Sequence, residues 1–393
     1  MTRADTHLAS VQRRLVARTE PLADAGALLD HLGVGGAAWL DGTRGFVTAG
    51  IAEIVEPSEA VAALQAIAHE NPDDSGIGGP RAFGALPFMG GGRMIIPARI
   101  VERDTEGRLW RTEISPAAVP AVSHVSTGAR PATSYTITQI SDADAWDANV
   151  AAILALVDSG AVEKVVLARE VLVDAGEPFD IARIVELLHT TQPGCIVYAD
   201  DGFVGASPEL LVRRTGSDVT ARPMAGTGPR ADELVRSEKD AREHRLVVDA
   251  VLNALAPTCC DAHARETAPV SLTDLTHLAT TITARVRDLD TSAVDLALAL
   301  HPTPAVAGTP RATAVAAINR LEPTPRDLYA GPCGWVDARG DGEFVVALRG
   351  AQIDGTRARL HAGAGIVAGS TSDADWAETQ SKLEPMLRAL VRT

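Results

Sequence analysis

The sequence predicts an α+β protein whose sheets are mainly antiparallel, and three observations support this fold class. Short segments rich in valine and leucine, such as EKVVLAREVLVD, have the composition of strands. Turn sequences such as DG and TGSD join several of these segments, as in hairpins. Helical segments interrupt them at uneven spacing, whereas a βαβ protein would alternate helices and strands regularly.

The composition excludes several classes of function. The chain has 393 residues, 46% of them hydrophobic, which is enough for a large core. A formal net charge of −15 argues against nucleic-acid binding, which needs a basic face. The start, MTRADTHLAS, lacks the apolar core of a secretory signal, and no apolar run is long enough to span a membrane. The four cysteines show neither disulfide nor zinc spacing. We therefore expect a cytoplasmic protein without nucleic-acid or membrane partners.

The chain divides into two parts, of which residues 1–130 are the first. Apolar segments in AAWLDG and GFVTAGIAEIVEP predict strands. The stretch GIGGPRAFGALPFMGGG contains no GK[ST] sequence and no helix signal follows it directly, so it predicts turns around a strand rather than a phosphate loop. VSHVSTGARPATSYTIT predicts a linker that enters a strand.

The second part, residues 140–393, carries denser signals. DADAWDANVAAILALVDSG has helical spacing, with Ser141 or Asp142 as its cap and Gly160 as its stop. SEKDAREHRLVVDAVLNALAP predicts a helix capped by Ser237, and SDADWAETQSKLEPMLRALV predicts a final helix. Further strands are predicted in GCIVYADDGFVGAS, ELLVRRTGSDVTARP and GEFVVALRGAQID.

Two of the predicted helices repeat one acidic pattern. Asp240 and Glu243 lie three residues apart, as do Asp375 and Glu378, so each pair shares one helix face. A single acidic pair is usually a solvated face. Both glutamates, however, adjoin apolar residues, and carboxylates near a core must be paired, protonated or bound to metal. Oxygen ligands without cysteine or histidine suggest Mg²⁺.

Ten stretches, two of which contain these glutamates, make the chain resemble the chorismate-utilising enzymes, which include isochorismate, salicylate, anthranilate and aminodeoxychorismate synthases. The resemblance covers roughly residues 140–390, and the first 130 residues match only through FGALPF. It implies one compact chorismate-binding fold, in which large antiparallel sheets form a sandwich flanked by helices. The stretches are EKVVLARE, GASPELLVRR, RPMAGTGPR, EKDAREHRLVVD, LTHLATTI, LHPTPAVAGTPR, DLYAGPCGWVD, GEFVVALRGAQI, AGAGIVAGS and WAETQSKL.

The resemblance also assigns the metal ligands and the substrate. It implies that Glu243 and Glu378 bind Mg²⁺, which grips the ring carboxylate of chorismate. Asp240 and Asp375 lie where further acids support the metal waters. Members that use water as the nucleophile are often monomers, so a monomer is expected.

Two catalytic groups follow from the same resemblance. Lys164 is either a surface lysine at a strand end or, as the family implies, the general base that activates water. A lysine acts as a base only when it is uncharged, and burial beside Val165 and Val166 suits that form. Glu209 is either a first-turn acid after Pro208 or, as the family implies, the acid that protonates the leaving C4 hydroxyl. The second role requires a raised pKa.

The resemblance places five residues around the substrate carboxylates. Arg349 and Tyr329 would hold the enolpyruvyl carboxylate, together with the backbone of Gly363 and Gly365. Arginine suits a carboxylate because it can bind both oxygens. Strand alternation in FVVALRGAQ would place the Arg349 side chain among small neighbours, where a charge lies either at the sheet rim or, as small neighbours favour, in a pocket. Lys382 follows Glu378 by four residues, so it forms either a surface ion pair or a positive charge beside the metal.

The remaining positions concern the pocket wall and the branch of the family. Gly226 and Thr227 would line the substrate, and His277 is either a core histidine or part of the pocket wall. Ala225 stands where aminodeoxychorismate synthases typically carry a nucleophilic lysine, which argues against that branch. At the position of Ala305 in HPTPAVAG, isochorismate synthases tend to have alanine, whereas salicylate and anthranilate synthases tend to have threonine.

We therefore expect an isochorismate synthase that isomerises chorismate reversibly. A salicylate synthase, which also eliminates pyruvate, and a non-catalytic chorismate-binding relative are the alternatives. Menaquinone and siderophore pathways both use isochorismate, and the residues do not separate them.

Overall fold

The computed structural model describes residues 14–23, 26–70, 78–116, 134–228, 230–273 and 275–392. The chain start, the first residues of the glycine-rich stretch and most of the linker predicted before residue 134 lie outside these ranges.

The described residues form 23 strands and eight α-helices, besides two short 3₁₀ helices at Leu28–His31 and Pro57–Glu59. The strands are β1 Val16–Leu22, β2 Ala38–Asp41, β3 Arg44–Val55, β4 Ala68–Glu70, β5 Arg81–Ala85, β6 Met94–Arg103, β7 Leu109–Ser115, β8 Tyr135–Gln139, β9 Lys164–Ala175, β10 Ile196–Asp200, β11 Phe203–Ser207, β12 Leu210–Thr215, β13 Asp218–Arg222, β14 Met224–Gly228, β15 Cys259–Ala264, β16 Ala268–Ser271, β17 Thr276–Ala279, β18 Ile282–Val286, β19 Gly308–Thr309, β20 Pro332–Asp337, β21 Gly342–Val346, β22 Gly350–Asp354 and β23 Arg357–Ile366. The helices are α1 Ala60–Gln65, α2 Ala143–Asp158, α3 Ile181–Thr191, α4 Ala231–Arg236, α5 Glu238–Leu255, α6 Ala293–Leu300, α7 Arg311–Leu321 and α8 Ser372–Leu390.

Twenty of the strands form one continuous ladder, antiparallel except where β1 meets β4. One half runs from β9 through β23, β22, β11, β10, β2 and β3 to β6. The other half runs from β5 through β20, β21, β12, β13 and β18 to β15, and β5 joins it to β6. Strands β14, β16 and β17 form a separate small sheet. Strands from both sides of residues 130–140 thus share one ladder, while the division of the chain at that point stays a prediction.

The two halves of the ladder pack face to face. Trp39 of β2 and Phe83 of β5 meet edge to face, with ring centroids 6.0 Å apart. Tyr198, Phe203 and Val345 are buried in the same cluster, so it draws on both halves. Such interdigitated inner faces define a β-sandwich. The predicted α+β class with antiparallel sheets in a sandwich is confirmed.

Helices cover the outer faces of the sandwich. Helix α6 packs on β12, β20 and β21, while α5 packs on β14 and β15. On the other half, α3 packs on β10 and β11, and α8 packs on β23. The predicted starts hold for two helices, since Asp142 and Ser237 accept hydrogen bonds from the backbone N–H groups of Ala145 and Asp240.

The prediction of a single strand in GEFVVALRGAQID is wrong. The segment forms β21 and β22, and residues 347–349 separate them. Strand β21 pairs with β20 and β12, whereas β22 pairs with β11 and β23, so the chain crosses between the two halves of the ladder here. Arg349 takes a left-handed backbone conformation at this crossing, with φ of 50°. Strand alternation therefore does not decide where its side chain points.

Candidate active site

One cavity of about 720 Å³, including its open mouth, collects the predicted catalytic and substrate-binding residues. Of the fifteen residues predicted for the site, thirteen line the cavity: Lys164, Glu209, Gly226, Thr227, Glu243, His277, Ala305, Tyr329, Arg349, Gly363, Gly365, Glu378 and Lys382.

The cavity is built from segments that are distant in the chain. Lys164 is the first residue of β9, while Gly363 and Gly365 lie on the paired strand β23. Glu209 stands between β11 and β12, where no helix begins, so its interpretation as a first-turn helical acid is wrong. Helices α5 and α8 contribute Glu243 and Glu378.

Lys164 is a buried residue of this cavity and not a surface lysine. Its side chain is 1% exposed, and its Nζ lies 2.7 Å from Glu243 Oε1. Burial raises the pKa of Glu243, but Lys164, together with the charges of Lys382 and Lys239, outweighs that effect and holds the pKa below its usual value. Glu243 is therefore ionised and paired with Lys164.

Glu209 has the opposite character. The residue is 4% exposed, and desolvation raises the pKa of its carboxyl group to about 7. A backbone hydrogen bond from Met224 and the positive charges of Lys164 and Lys382 oppose this rise without cancelling it. The carboxyl group therefore still carries a proton near neutral pH, as a general acid must.

Thr227, His277 and Arg349 form a hydrogen-bonded chain along one wall. Burial, and next the Arg349 guanidinium, lowers the pKa of His277 well below its usual value. The neutral ring accepts a hydrogen bond from Arg349 Nη2 at 2.8 Å through Nε2. Its Nδ1 lies 3.1 Å from Thr227 Oγ1 and donates to it. This chain fixes the direction of the Arg349 guanidinium, and His277 is part of the pocket wall.

A second cation and a phenol complete the polar wall. Lys382 Nζ lies 2.6 Å from Glu378 Oε1 and donates to the Gly363 carbonyl at 2.9 Å. Both side chains are about a quarter exposed, so this pair lies at the cavity mouth. Burial raises the pKa of Tyr329 to about 12, which keeps its hydroxyl protonated and able to donate to an anion.

Asp240 and Asp375, the two remaining predicted residues, do not line the cavity. Each precedes the glutamate of its own helix by three residues. Burial raises the pKa of Asp240, and it raises the pKa of Asp375 to about 6. The charges of Glu243 and Glu378 raise both values further. The acidic residues of α5 and α8 are therefore close enough to raise one another's pKa values. Among the described residues, however, no group of three or more His, Cys, Asp or Glu side chains is arranged to hold a metal ion.

Gly365 lies against the ends of two side chains. A Cβ atom at this position would lie 2.7 Å from Glu243 Oε1 and 2.8 Å from Lys164 Cε. A larger residue would therefore make Glu243 or Lys164 shift within the cavity.

Besides Ala225, which the sequence analysis had already placed at the site, sequence reasoning missed seven residues of the lining, of which His361 is the most polar. Its ring stacks on Tyr329 with centroids 5.2 Å apart, and its Nε2 lies 3.6 Å from Glu170 Oε2. Alternation along β23 could have found it, because His361, Gly363 and Gly365 share one face of that strand. The others are Val166, Pro208, Met224, Val306, Leu348 and Ala362.

Comparison with known proteins identifies the family. The model of the chorismate binding enzyme family matches residues 95–391. The chain belongs to this family. It is 31% identical over 377 residues to isochorismate synthase DhbC of Bacillus subtilis, covering 88% of this chain and 91% of the relative. It is 42% identical over 255 residues to the putative isochorismate synthase MenF of Mycobacterium tuberculosis, covering 59% of this chain and 68% of the relative.

A solved structure extends the similarity to the fold of this chorismate-binding enzyme. The putative 2,3-dihydroxybenzoate-specific isochorismate synthase DhbC from Bacillus anthracis superposes with a TM-score of 0.78 at 30% identity. The match covers 92% of this chain and 98% of that chain. The predicted family and its single fold are confirmed. Among the described residues, no helix has the length and apolar character needed to span a membrane.

Proposed function

We propose that this chorismate-binding enzyme is an isochorismate synthase, which converts chorismate reversibly into isochorismate. The observation that carries this proposal is that Lys164 and Glu209 line the same cavity. One is a buried amine, and the other is a buried carboxylic acid that holds its proton to about pH 7. An isomerisation that adds water and expels a hydroxyl group needs one base and one acid.

The two groups divide the proton transfers between them. Lys164 acts in its uncharged form, without the ion pair to Glu243: it takes a proton from a water molecule, and the hydroxide oxygen forms a bond to C2 of the ring. The ring double bonds shift, and the bond from C4 to its hydroxyl group breaks. Glu209 gives its proton to that hydroxyl, which leaves as water, so the reaction exchanges one water for another. In the reverse direction the two residues exchange roles.

The cationic wall orients the dianionic substrate. Arg349, held by His277, and the protonated Tyr329 hydroxyl bind the enolpyruvyl carboxylate. The backbone of Gly363 and Gly365 borders the same position because their lack of side chains leaves room for it. Lys382 lies at the mouth, where it neutralises negative charge beside Glu378. An arginine carries its charge at all relevant pH values, which suits permanent carboxylate binding.

We also propose that the site takes one Mg²⁺ ion between α5 and α8. Glu243 and Glu378 are the proposed ligands, with Asp240 and Asp375 acting through water. Mg²⁺ binds through one or two protein carboxylates and keeps water and substrate oxygens, so it does not require a cluster of three protein ligands. A fitting observation is that Asp375 Oδ2 is buried and has no hydrogen-bond partner within the described part of the chain. When bound, the ion would neutralise the ring carboxylate.

Two small side chains support water as the nucleophile. Ala225 lines the cavity with a methyl group, which cannot attack the ring. Ala305 lines it as well, without a hydroxyl group. Pyruvate elimination, the further step of a salicylate synthase, is not part of this proposal.

The proposal includes a monomer that acts on a small molecule in the cytoplasm, without a nucleic-acid partner. The cysteines support a reducing compartment, since Cys195, Cys259, Cys260 and Cys333 are all free. The acidic net charge of −15 disfavours nucleic acid.

A product assay tests the proposed activity. The purified protein is incubated with chorismate, with and without Mg²⁺, and the products are separated by chromatography beside an enzymatic pyruvate assay. We expect isochorismate, without pyruvate, only when Mg²⁺ is present. Salicylate with pyruvate would assign the salicylate synthase activity instead, and bound but unconverted chorismate would indicate a non-catalytic relative.

A further inference from the structure

Arg169 lies on the same strand as Lys164 but on the opposite face. Side chains alternate along β9, so Lys164 and Val166 face the cavity while Arg169 faces the other side. Arg169 is 1% exposed and is among the largest fully buried side chains of the protein. It has no part in the chemistry described above.

The hydrogen bonds and the ring contact of the Arg169 guanidinium run to one short segment of α8. Its Nε donates to Thr379 Oγ1 at 2.7 Å, and its Nη2 donates to Gln380 Oε1 at 2.8 Å. The group also lies over the indole ring of Trp376, 4.1 Å from the ring centroid. These three residues surround Glu378 in the sequence, so a single side chain of β9 holds the turn of α8 that carries Glu378.

Stability alone does not account for this arrangement. Within the described residues the buried guanidinium makes no ion pair, and its Nη1 has no hydrogen-bond partner. Desolvation lowers the pKa of Arg169 to about 10, which shows that burial disfavours the charge. A buried charge without a counter-ion is costly, and apolar residues of similar volume often replace buried charges without loss of stability.

We propose that Arg169 is a positioning residue that fixes Glu378 and Lys382 on α8 in register with Lys164 on β9. The inference rests on the proposed function, since it concerns the carboxylate predicted to bind Mg²⁺. The planar guanidinium suits this role because it presents donors in a fixed geometry while its face stacks on an aromatic ring.

The test compares three variants with the wild type. Arg169→Met removes the guanidinium hydrogen-bond donors and keeps the approximate volume. Arg169→Lys keeps the positive charge but removes the planar guanidinium group. Arg214→Met is the control, because Arg214 is also a buried arginine on β12 but binds the carbonyls of Arg339 and Leu289 and pairs with Asp341, far along the ladder from α8. For each protein, Mg²⁺ binding is measured by calorimetry without substrate, the melting temperature without Mg²⁺, and kcat against Mg²⁺ concentration.

Both Arg169 variants should bind Mg²⁺ roughly 10- to 100-fold more weakly, as expected when a residue that orients a metal ligand is lost. The Mg²⁺ concentration for half-maximal rate should rise more than kcat falls, while the melting temperature of Arg169→Met stays near the wild-type value. Arg214→Met should melt lower and keep wild-type Mg²⁺ affinity. If Arg169→Met does not fold, Thr379→Val removes the main acceptor and should weaken Mg²⁺ binding similarly.

Unchanged Mg²⁺ affinity in Arg169→Met or Thr379→Val would overturn the inference, as would full rescue by lysine, which would show that only the charge matters. These results differ from a failure of the proposed function. In that case the wild type itself would neither bind Mg²⁺ nor convert chorismate.

Discussion

Replacing Glu209 with glutamine should separate stability from catalysis. Glu209 is 4% exposed, and desolvation raises the pKa of its carboxyl group from 4.5 to about 7. Glutamine has nearly the same shape but takes up no charge. Removing a general acid typically slows a reaction about 10²- to 10⁴-fold, and we expect a loss in kcat of that order for Glu209→Gln.

The same substitution has a calculable effect on stability. In the unfolded chain Glu209 loses its proton near pH 4.5, and in the folded protein near pH 7. Between these values the folded state binds more protons, so the wild-type free energy of unfolding falls as the pH rises. At about 1.4 kcal/mol per pH unit, the total contribution of Glu209 is about 3 kcal/mol. The free energy of unfolding of Glu209→Gln should not show this decline with rising pH, because glutamine does not ionise.

Urea unfolding, followed by circular dichroism from about pH 4 to about pH 8, measures this contribution. As the pH rises through this range, the free energy of unfolding of Glu209→Gln should increase by about 3 kcal/mol relative to that of the wild type. Glu177→Gln, which replaces an exposed glutamate, is the control and should run parallel to the wild type. A pH-independent stability difference, together with near-normal turnover of Glu209→Gln, would refute the assignment of Glu209 as a buried acid.

Three further substitutions test other parts of the site. Glu243→Gln and Glu378→Gln should each abolish Mg²⁺-dependent turnover in a folded protein, as checked by product analysis and circular dichroism; full activity in either would remove the metal assignment. Gly365→Ala should reduce kcat at least tenfold, because the alanine Cβ would lie 2.7 Å from Glu243 Oε1 and displace the carboxylate from Lys164. Wild-type kinetics of this variant would show that the ion pair tolerates the displacement. Ala305→Thr should increase pyruvate release in the coupled assay, and an unchanged rate would show that this position does not set the branch.

Much of the site was predictable because its signals are local. A cap such as Asp142 or Ser237 depends on the backbone of its own first turn, so the sequence around it is sufficient. The repeated acid pattern identified Glu243 and Glu378 through helix geometry, and family resemblance connected the other cavity residues. No local pattern of the sequence brings Lys164 beside Glu243.

What could not be predicted depends on contacts between distant segments. The chain breaks its strand before Arg349 because β21 and β22 have partners in different halves of the ladder, and residues 342–354 contain no information about those partners. Arg169 looks like a continuation of a strand in the sequence. Its stacking on Trp376 appears only when α8 docks on β23. His361 could have been recognised by strand alternation with Gly363.

In the proposed reaction, water activated by Lys164 attacks C2 while the C4 hydroxyl leaves with a proton from Glu209. Turnover of chorismate in oxygen-18 water, followed by mass spectrometry of the isochorismate formed early in the reaction, tests this step. We predict one solvent oxygen per molecule, located at C2. Isochorismate that contains no solvent oxygen would exclude water as the nucleophile, because the hydroxyl group would then have moved within the ring without an attacking water.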